Sequence, residues 1–257
     1  MKFPKLALYI LLLVKTIGLF AAEPITLSTG EYPPYNSAAF KHYGLMPKII
    51  TEAFAEVGYQ VDFVFLPWPK AYYLSKIGNV DGTAQWFNSE DRKIDHIYSH
   101  PILPEKVVWI YLREYQFDWN TLDDLAGIRI CALRGFTYTH EFHRAIRVGK
   151  LHVSFVNDID QCFKMILAGR TDITLENIEV AYYKLRSLFK PELVNQFIYH
   201  QKPFQVSYNH LLISKKTLDA QKIINDFNRG LKQLTKSGKV NQILQNSRMG
   251  LYEPAHN

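Results

Sequence analysis

The chain has little with which to do covalent chemistry. Among 257 residues there are two cysteines and four methionines. No G-x-S-x-G, H-E-x-x-H, Walker or G-x-G-x-x-G sequence is present, so the short motifs of common hydrolases, zinc proteases and nucleotide-binding folds are missing. The lack of any internal repeat, low-complexity tract or heptad run excludes a solenoid or a coiled coil. Beyond residue 22, no apolar run is long enough to cross a membrane as a helix. Charge of one sign is also scarce. Thirty basic residues face 24 acidic ones for a net +6. Without the three lysines of residues 1–22 only +3 remains, too small a bias for a nucleic-acid partner. His140 and His143 lie one helical turn apart, but zinc helices use i, i+4 spacing with a third ligand. A solvated helix face is expected there, and no metal or cofactor.

What is present begins with a leader. Lys2 and Lys5 precede an apolar run over residues 6–14, and Ala21-Ala22 offers a small-residue cleavage point before Glu23. This is the pattern of a signal peptide over residues 1–22, with an uncleaved anchor as the alternative. About 235 residues follow, enough for two small α/β lobes. Export would permit Cys131 and Cys162 to pair, although spacing alone leaves bridged and free thiols both open.

Hydrophobic periodicity predicts strands over residues 25–29, 59–66 and 83–86. Helices over residues 45–57 and 69–77 separate them, the second opened by Pro69 and closed by Gly78. This β-α-β-α-β order argues for a parallel sheet with right-handed crossovers. Residues 107–112 read as a crossing strand. A second unit has strands over 128–133, 152–156 and 171–175, with helices over 138–148, 158–168 and 178–188. Residues 206–214 read as a return crossing, followed by a helix striped with Ile223, Ile224, Phe227, Leu231 and Leu234. The expected fold is therefore α/β and two-lobed, each lobe a mostly parallel sheet flanked by helices. Residues 23–112 and 204–257 form the first lobe and residues 113–203 the second.

Ligands of open parallel sheets sit just outside the carboxyl ends of the strands. Those ends carry Glu31, Tyr32 and Tyr35; Trp68 and Lys70; Gln85, Trp86, Phe87 and Arg92; Arg134, Thr137 and Tyr138; and Glu176 and Asn177. Aromatic walls with a few placed polar groups are what small-molecule sites use. Each has a structural alternative: Arg92 as a surface charge near a helix end, Trp68 and Trp86 as core residues, and Glu176 as a favourable charge at a helix start.

The run from Asn79 to Asp95, with Ser89-Glu90-Asp91-Arg92 inside it, resembles the hinge-proximal signature of the family 3 extracellular solute-binding proteins. Tyr32-Pro33-Pro34-Tyr35 is similar to that family's aromatic ligand loop, and Arg134 to Tyr138 to its backbone anion loop. The resemblance spans nearly all of residues 24–246. It implies a type II periplasmic clamshell that closes on a small polar, carboxylate-bearing ligand. It also implies that Arg92 grips the carboxylate and that an inner-membrane ABC permease is the partner of a monomeric periplasmic receptor. No catalysis is implied. The alternatives are a cyclohexadienyl dehydratase-like enzyme on the same fold, with Glu176 or Glu31 as general acid, and a receptor that feeds a sensor.

Departures from the family pattern bear on the ligand. Gln85 and Phe87 stand where small or hydroxyl residues are usual. Lys70 replaces an arginine. Asn177 stands where an aspartate would meet an α-ammonium, with Glu176 one residue earlier. An amide is a weak partner for a desolvated cation. The expected ligand therefore has an anionic group and a flat or apolar body, in preference to a plain α-amino acid.

Overall fold

The computed structural model describes residues 23–134 and 138–254. The expected leader over residues 1–22 and the candidate Thr137 lie outside the described residues. The chain starts with β1 (Glu23–Thr29), α1 (Leu45–Ala55), β2 (Tyr59–Phe65), α2 (Trp68–Ile77) and β3 (Gly82–Phe87). β1 pairs in parallel with both β2 and β3. The α1 stripe forms because Leu45, Ile49, Ile50, Ala53 and Phe54 recur at helical spacing, and all are fully buried. Gly78 ends α2 in a left-handed conformation at φ 82°, which glycine adopts without a Cβ penalty.

A short helix α3 (Glu90–Asp95) and strand β4 (His96–Tyr98) lead into the long β5 (Pro104–Leu112). The second unit runs β6 (Arg129–Leu133), α4 (His140–Arg147), β7 (His152–Val156), α5 (Ile159–Leu167), β8 (Ile173–Asn177), α6 (Ile178–Leu188), α7 (Pro191–Val194) and β9 (Phe197–Tyr199). β6 pairs in parallel with β7 and β8. Asp158 caps α5 by accepting from the Asp160 N–H at 3.0 Å. Cys131 on β6 and Cys162 on α5 form a disulfide, with Cα atoms 5.5 Å apart. The bridge closes a loop through the core of the second unit.

β10 (Gln205–Ser214) joins the units. Its first half pairs antiparallel with the start of β5, through Gln205–Val107 to Tyr208–Pro104. Its second half pairs antiparallel with β3. β5 in turn pairs antiparallel with β8. The result among the described residues is a ten-stranded curled sheet in which β10 and β5 are the central strands. α8 (Ala220–Lys236) then packs on α1, and α9 (Lys239–Arg248) follows. Gly230 permits that contact: a Cβ there would lie 1.9 Å from the Ala53 carbonyl oxygen.

Four local differences from the sequence reading have physical reasons. Glu176 and Asn177 are the last residues of β8, not a loop beyond it, because β5 is long enough to pair with them. Asp172 sits outside the strand, where its carboxylate takes a bidentate contact from Arg129. The segment around Arg92 is a helical turn, with Glu90 and Asp91 in its first turn. α9 buries only Val240, Ile243 and Ser247, too sparse a stripe to read as a separate helix.

Candidate functional site

Gln85 is the geometric irregularity from which the site grows. β10 pairs His210 with Trp86 but Leu211 with Ala84, so Gln85 is bulged out of the ladder. Its backbone is left-handed at φ 64°, an unfavourable region for a residue with a Cβ. Bulges of this kind re-aim a side chain. Here the Gln85 side chain is buried and its Nε2 donates to Glu105 Oε1 at 3.2 Å.

Glu105 lies at the start of β5 and is 5 % exposed. It collects donors from both halves of the molecule. Asn209 Nδ2 of β10 donates to Oε1 at 2.5 Å, and Asn177 Nδ2 of β8 donates to Oε2 at 3.3 Å. The Tyr32 hydroxyl lies close enough to this carboxylate for each to influence the other's protonation. Burial pushes the Glu105 carboxyl up, while the Asn209 and Gln85 amide donors and nearby Tyr32 oppose that rise. Burial and the nearby Glu105 and Glu176 carboxylates push the Tyr32 phenol upward as well.

Aromatic residues build the wall. Gly30 leaves room for Trp68 to lie across the backbone, since a Cβ there would be 2.3 Å from the indole. The Trp68 Nε1–H donates to the Glu31 carbonyl at 3.3 Å. Trp68 meets Trp86 edge to face, with centroids 5.2 Å apart, and Trp86 donates to Thr83 Oγ1 at 2.9 Å. The Arg92 guanidinium lies 4.5 Å from the Trp86 ring centroid and donates to the Phe87 carbonyl at 3.3 Å. Six of the residues picked from sequence, Tyr32, Trp68, Gln85, Trp86, Phe87 and Arg92, line one cavity of about 260 Å³ together with Glu105 and Asn209.

The other candidates divide. Tyr35 stacks on Tyr32 at 5.4 Å, and its buried hydroxyl donates to Asn177 Oδ1 at 3.1 Å. Both Tyr35 and Asn177 line a second cavity of about 200 Å³, together with the ion-paired Glu179 and Arg248. Asn177 caps α6, its Oδ1 also accepting from the Glu179 and Val180 N–H groups. Glu176 is 5 % exposed, and its Oε1 accepts from the Asn177 N–H at 2.7 Å. Burial lifts its carboxyl to about 7, with Glu105 adding in the same direction. The Tyr138 hydroxyl bonds to the Leu133 backbone, and burial pushes its phenol up to about 12. Glu31 is exposed and accepts from the Ala38 N–H. Lys70 and Arg134 are exposed and line neither cavity.

Sequence reasoning missed Glu105 and Asn209. The signal was available, because side chains on one face of a strand recur every second residue. Glu105 shares its face with Val107 and Trp109, so a strand begun at residue 107 stops one step short of it. The Glu105 carboxylate stands at hydrogen-bond distance from the Asn177 amide, 3.3 Å from its Nδ2.

The model of the bacterial extracellular solute-binding proteins, family 3, matches residues 25–247. The chain belongs to that family. A search of the curated proteins finds no match. Among solved structures, substrate-binding domain 2 of Lactococcus lactis GlnP in an open conformation is similar at TM-score 0.72 and 15% identity. That alignment covers 91% of this chain and 97% of the other. The L-cystine solute receptor of Neisseria gonorrhoeae, unliganded and open, is similar at 0.68 and 16%, covering 87% and 92%. A histidine kinase sensor domain with similarity to periplasmic binding proteins reaches 0.56 and 19%, covering 88% and 96%. These likenesses show the two-lobed clamshell fold. Among the described residues, no helix is long and apolar enough to cross a membrane.

Proposed function

We propose that this family member is a periplasmic receptor that captures a small carboxylate-bearing solute, an amino acid or a relative of one. In this reading it passes the solute as a monomer to an ABC-type inner-membrane permease. The lobes are residues 23–112 with 204–257, and residues 113–203, and they close about β5 and β10. One observation carries the reading. A guanidinium stacked on Trp86, aromatic walls and a buried carboxylate share one cavity beside the two strands that join the lobes. The Arg92 fork suits a carboxylate, and the tryptophans suit a flat or apolar body.

A thermal-shift screen against amino acids, dicarboxylates, polyamines and small peptides tests this. A solute at 100 times its Kd raises stability by about 2.7 kcal/mol. The reading fails if no carboxylate-bearing solute shifts the melting temperature. One observation favours a second reading, catalysis on the same scaffold: the Glu176 carboxyl, held near 7, is poised as a general acid. Product formed from a bound solute, and lost in Glu176→Gln, would support that reading.

A further inference from the structure

We propose that α6 and the C-terminal segment form a clasp behind the hinge that holds the empty receptor open. Its two ion pairs, Glu179–Arg248 and Arg186–Glu253, tie the second lobe to the first, and closure must break them. The inference rests on the hinge-closure reading and on no particular solute.

α6 has two working faces. Ile178, Ala181 and Leu185 are buried in the core of the second lobe. Val180 and Tyr183 instead pack against the core of the first lobe, where Tyr183 meets Phe40 edge to face at 5.7 Å. Glu179, Tyr183 and Arg186 recur at i, i+4 and i+7, so they share one stripe. The partners of the two charges belong to the first lobe. Arg248 is the last residue of α9. Beyond it, Tyr252 is buried in the first-lobe core, and its carbonyl accepts from the Lys41 N–H at 2.9 Å. The Arg248 fork reaches both oxygens of Glu179, Nη2 to Oε1 at 2.6 Å and Nε to Oε2 at 3.1 Å. Arg186 pairs with Glu253, and its Nη1 donates to the Arg248 carbonyl at 2.7 Å. The order is complementary: α6 offers an acid and then a base, the tail a base and then an acid. The Glu179 and Glu253 side chains are 8% and 6% exposed, so salt screens these pairs less than it would fully exposed ones.

The clasp lies across β5 from the solute cavity. Pro104 and Lys106 line the cavity that Glu179 and Arg248 share, whereas Glu105 between them lines the solute cavity. Successive residues of a strand point to opposite faces. A rotation that closes one side of a hinge parts the other. Among the described residues, those lining the solute cavity all belong to the first lobe or to the strands that join the lobes; residues 113–203 contribute none, which is the open arrangement. Arg186 stands seven residues beyond Glu179, about 10 Å along the helix, so closure moves it further from its partner than it moves Glu179. Closing therefore gives up both pairs unless solute contacts offset the loss. A receptor whose closed form is scarce when empty binds with lowered apparent affinity, so the clasp sets affinity from residues that line no part of the solute cavity.

Lobe separation in the empty exported protein tests the proposal. Spin labels on Leu218→Cys and Val148→Cys, exposed positions on the first and second lobes, report it by pulsed electron paramagnetic resonance. The native cysteines are bridged and take no label. Two paired variants avoid leaving a buried charge alone: Glu179→Gln with Arg248→Met, and Arg186→Met with Glu253→Gln. Each should raise the ratio of short to long distances about fivefold, with the fold checked by circular dichroism. The charge swap Glu179→Arg with Arg248→Glu should restore the wild-type distribution. Raising sodium chloride to 1 M should shift the wild type in the same direction as the paired variants. Distances unchanged in both paired variants, or shifted to longer values, would overturn the clasp. A charge swap that folds but behaves like the Glu179→Gln, Arg248→Met protein would also overturn it. No solute is present, so these failures leave the solute-binding reading standing, and a thermal-shift screen without a hit leaves the clasp standing.

Discussion

Replacing Glu176 by glutamine should make the protein more stable at pH 8 than the wild type, although the site is buried and hydrogen-bonded. Burial raises this carboxyl from the ordinary 4.5 to about 7, and the neighbouring Glu105 adds to the rise. An acid whose folded pKa lies above its unfolded value holds its proton more tightly in the folded state. Between pH 4.5 and about 7 the native protein therefore carries a proton that the unfolded chain has lost, and stability falls as pH rises through that window. Above it the full penalty applies. At about 1.4 kcal/mol per tenfold change in proton affinity, the penalty is about 3 kcal/mol. Glutamine cannot ionise, and its oxygen can still accept the Asn177 N–H that Glu176 accepts at 2.7 Å. Urea denaturation at pH 4.5, 6 and 8 measures the effect. The two proteins should match at the lowest pH and diverge by roughly 3 kcal/mol at pH 8. Some slope should survive in the variant, because burial also raises Glu105. The reasoning is refuted if wild type and Glu176→Gln show the same pH dependence across this window, or if the variant is the less stable at pH 8.

Four further outcomes are expected. Arg92→Ala should weaken binding of a carboxylate-bearing solute by about 2–4 kcal/mol; unchanged affinity by calorimetry with the fold intact rules out the clamp. Reduction of Cys131–Cys162, or Cys162→Ala, should lower stability by about 4 kcal/mol, since the bridge spans 31 residues; a urea midpoint indifferent to reductant contradicts this. Gly230→Ala should cost about 1–3 kcal/mol through the collision with the Ala53 carbonyl, read as a lower melting temperature. The exported protein should begin at or close to Glu23, and an intact mass that retains residues 1–22 would show an anchor instead.

The fold was legible because its information is periodic. α6 spans the residues its pattern predicts, Ile178–Leu188, and α5 begins after the expected cap at Asp158. Elements under tertiary control were not legible. β4 and β9 are three residues each and exist because β10 and β5 offer them an edge. That Tyr32, Trp68, Trp86 and Phe87 line one cavity could also be read, since they lie at strand ends that topology brings together. The polar half could not. Gln85 faces the cavity because of a register slip relative to β10, and no local pattern encodes a slip whose partner lies more than a hundred residues away. Asn209 and Glu105 meet for the same reason, across the pairing of β10 with β5.

That dependence on long-range pairing suggests why the buried carboxylates are tolerated. Glu105 binds Gln85 of β3, Asn209 of β10 and Asn177 of β8. It is therefore a polar tie at the point where the two halves of the sheet join. A hydrophobic residue there would spare the empty protein the cost of desolvating an acid, but would remove the tie and the charge together.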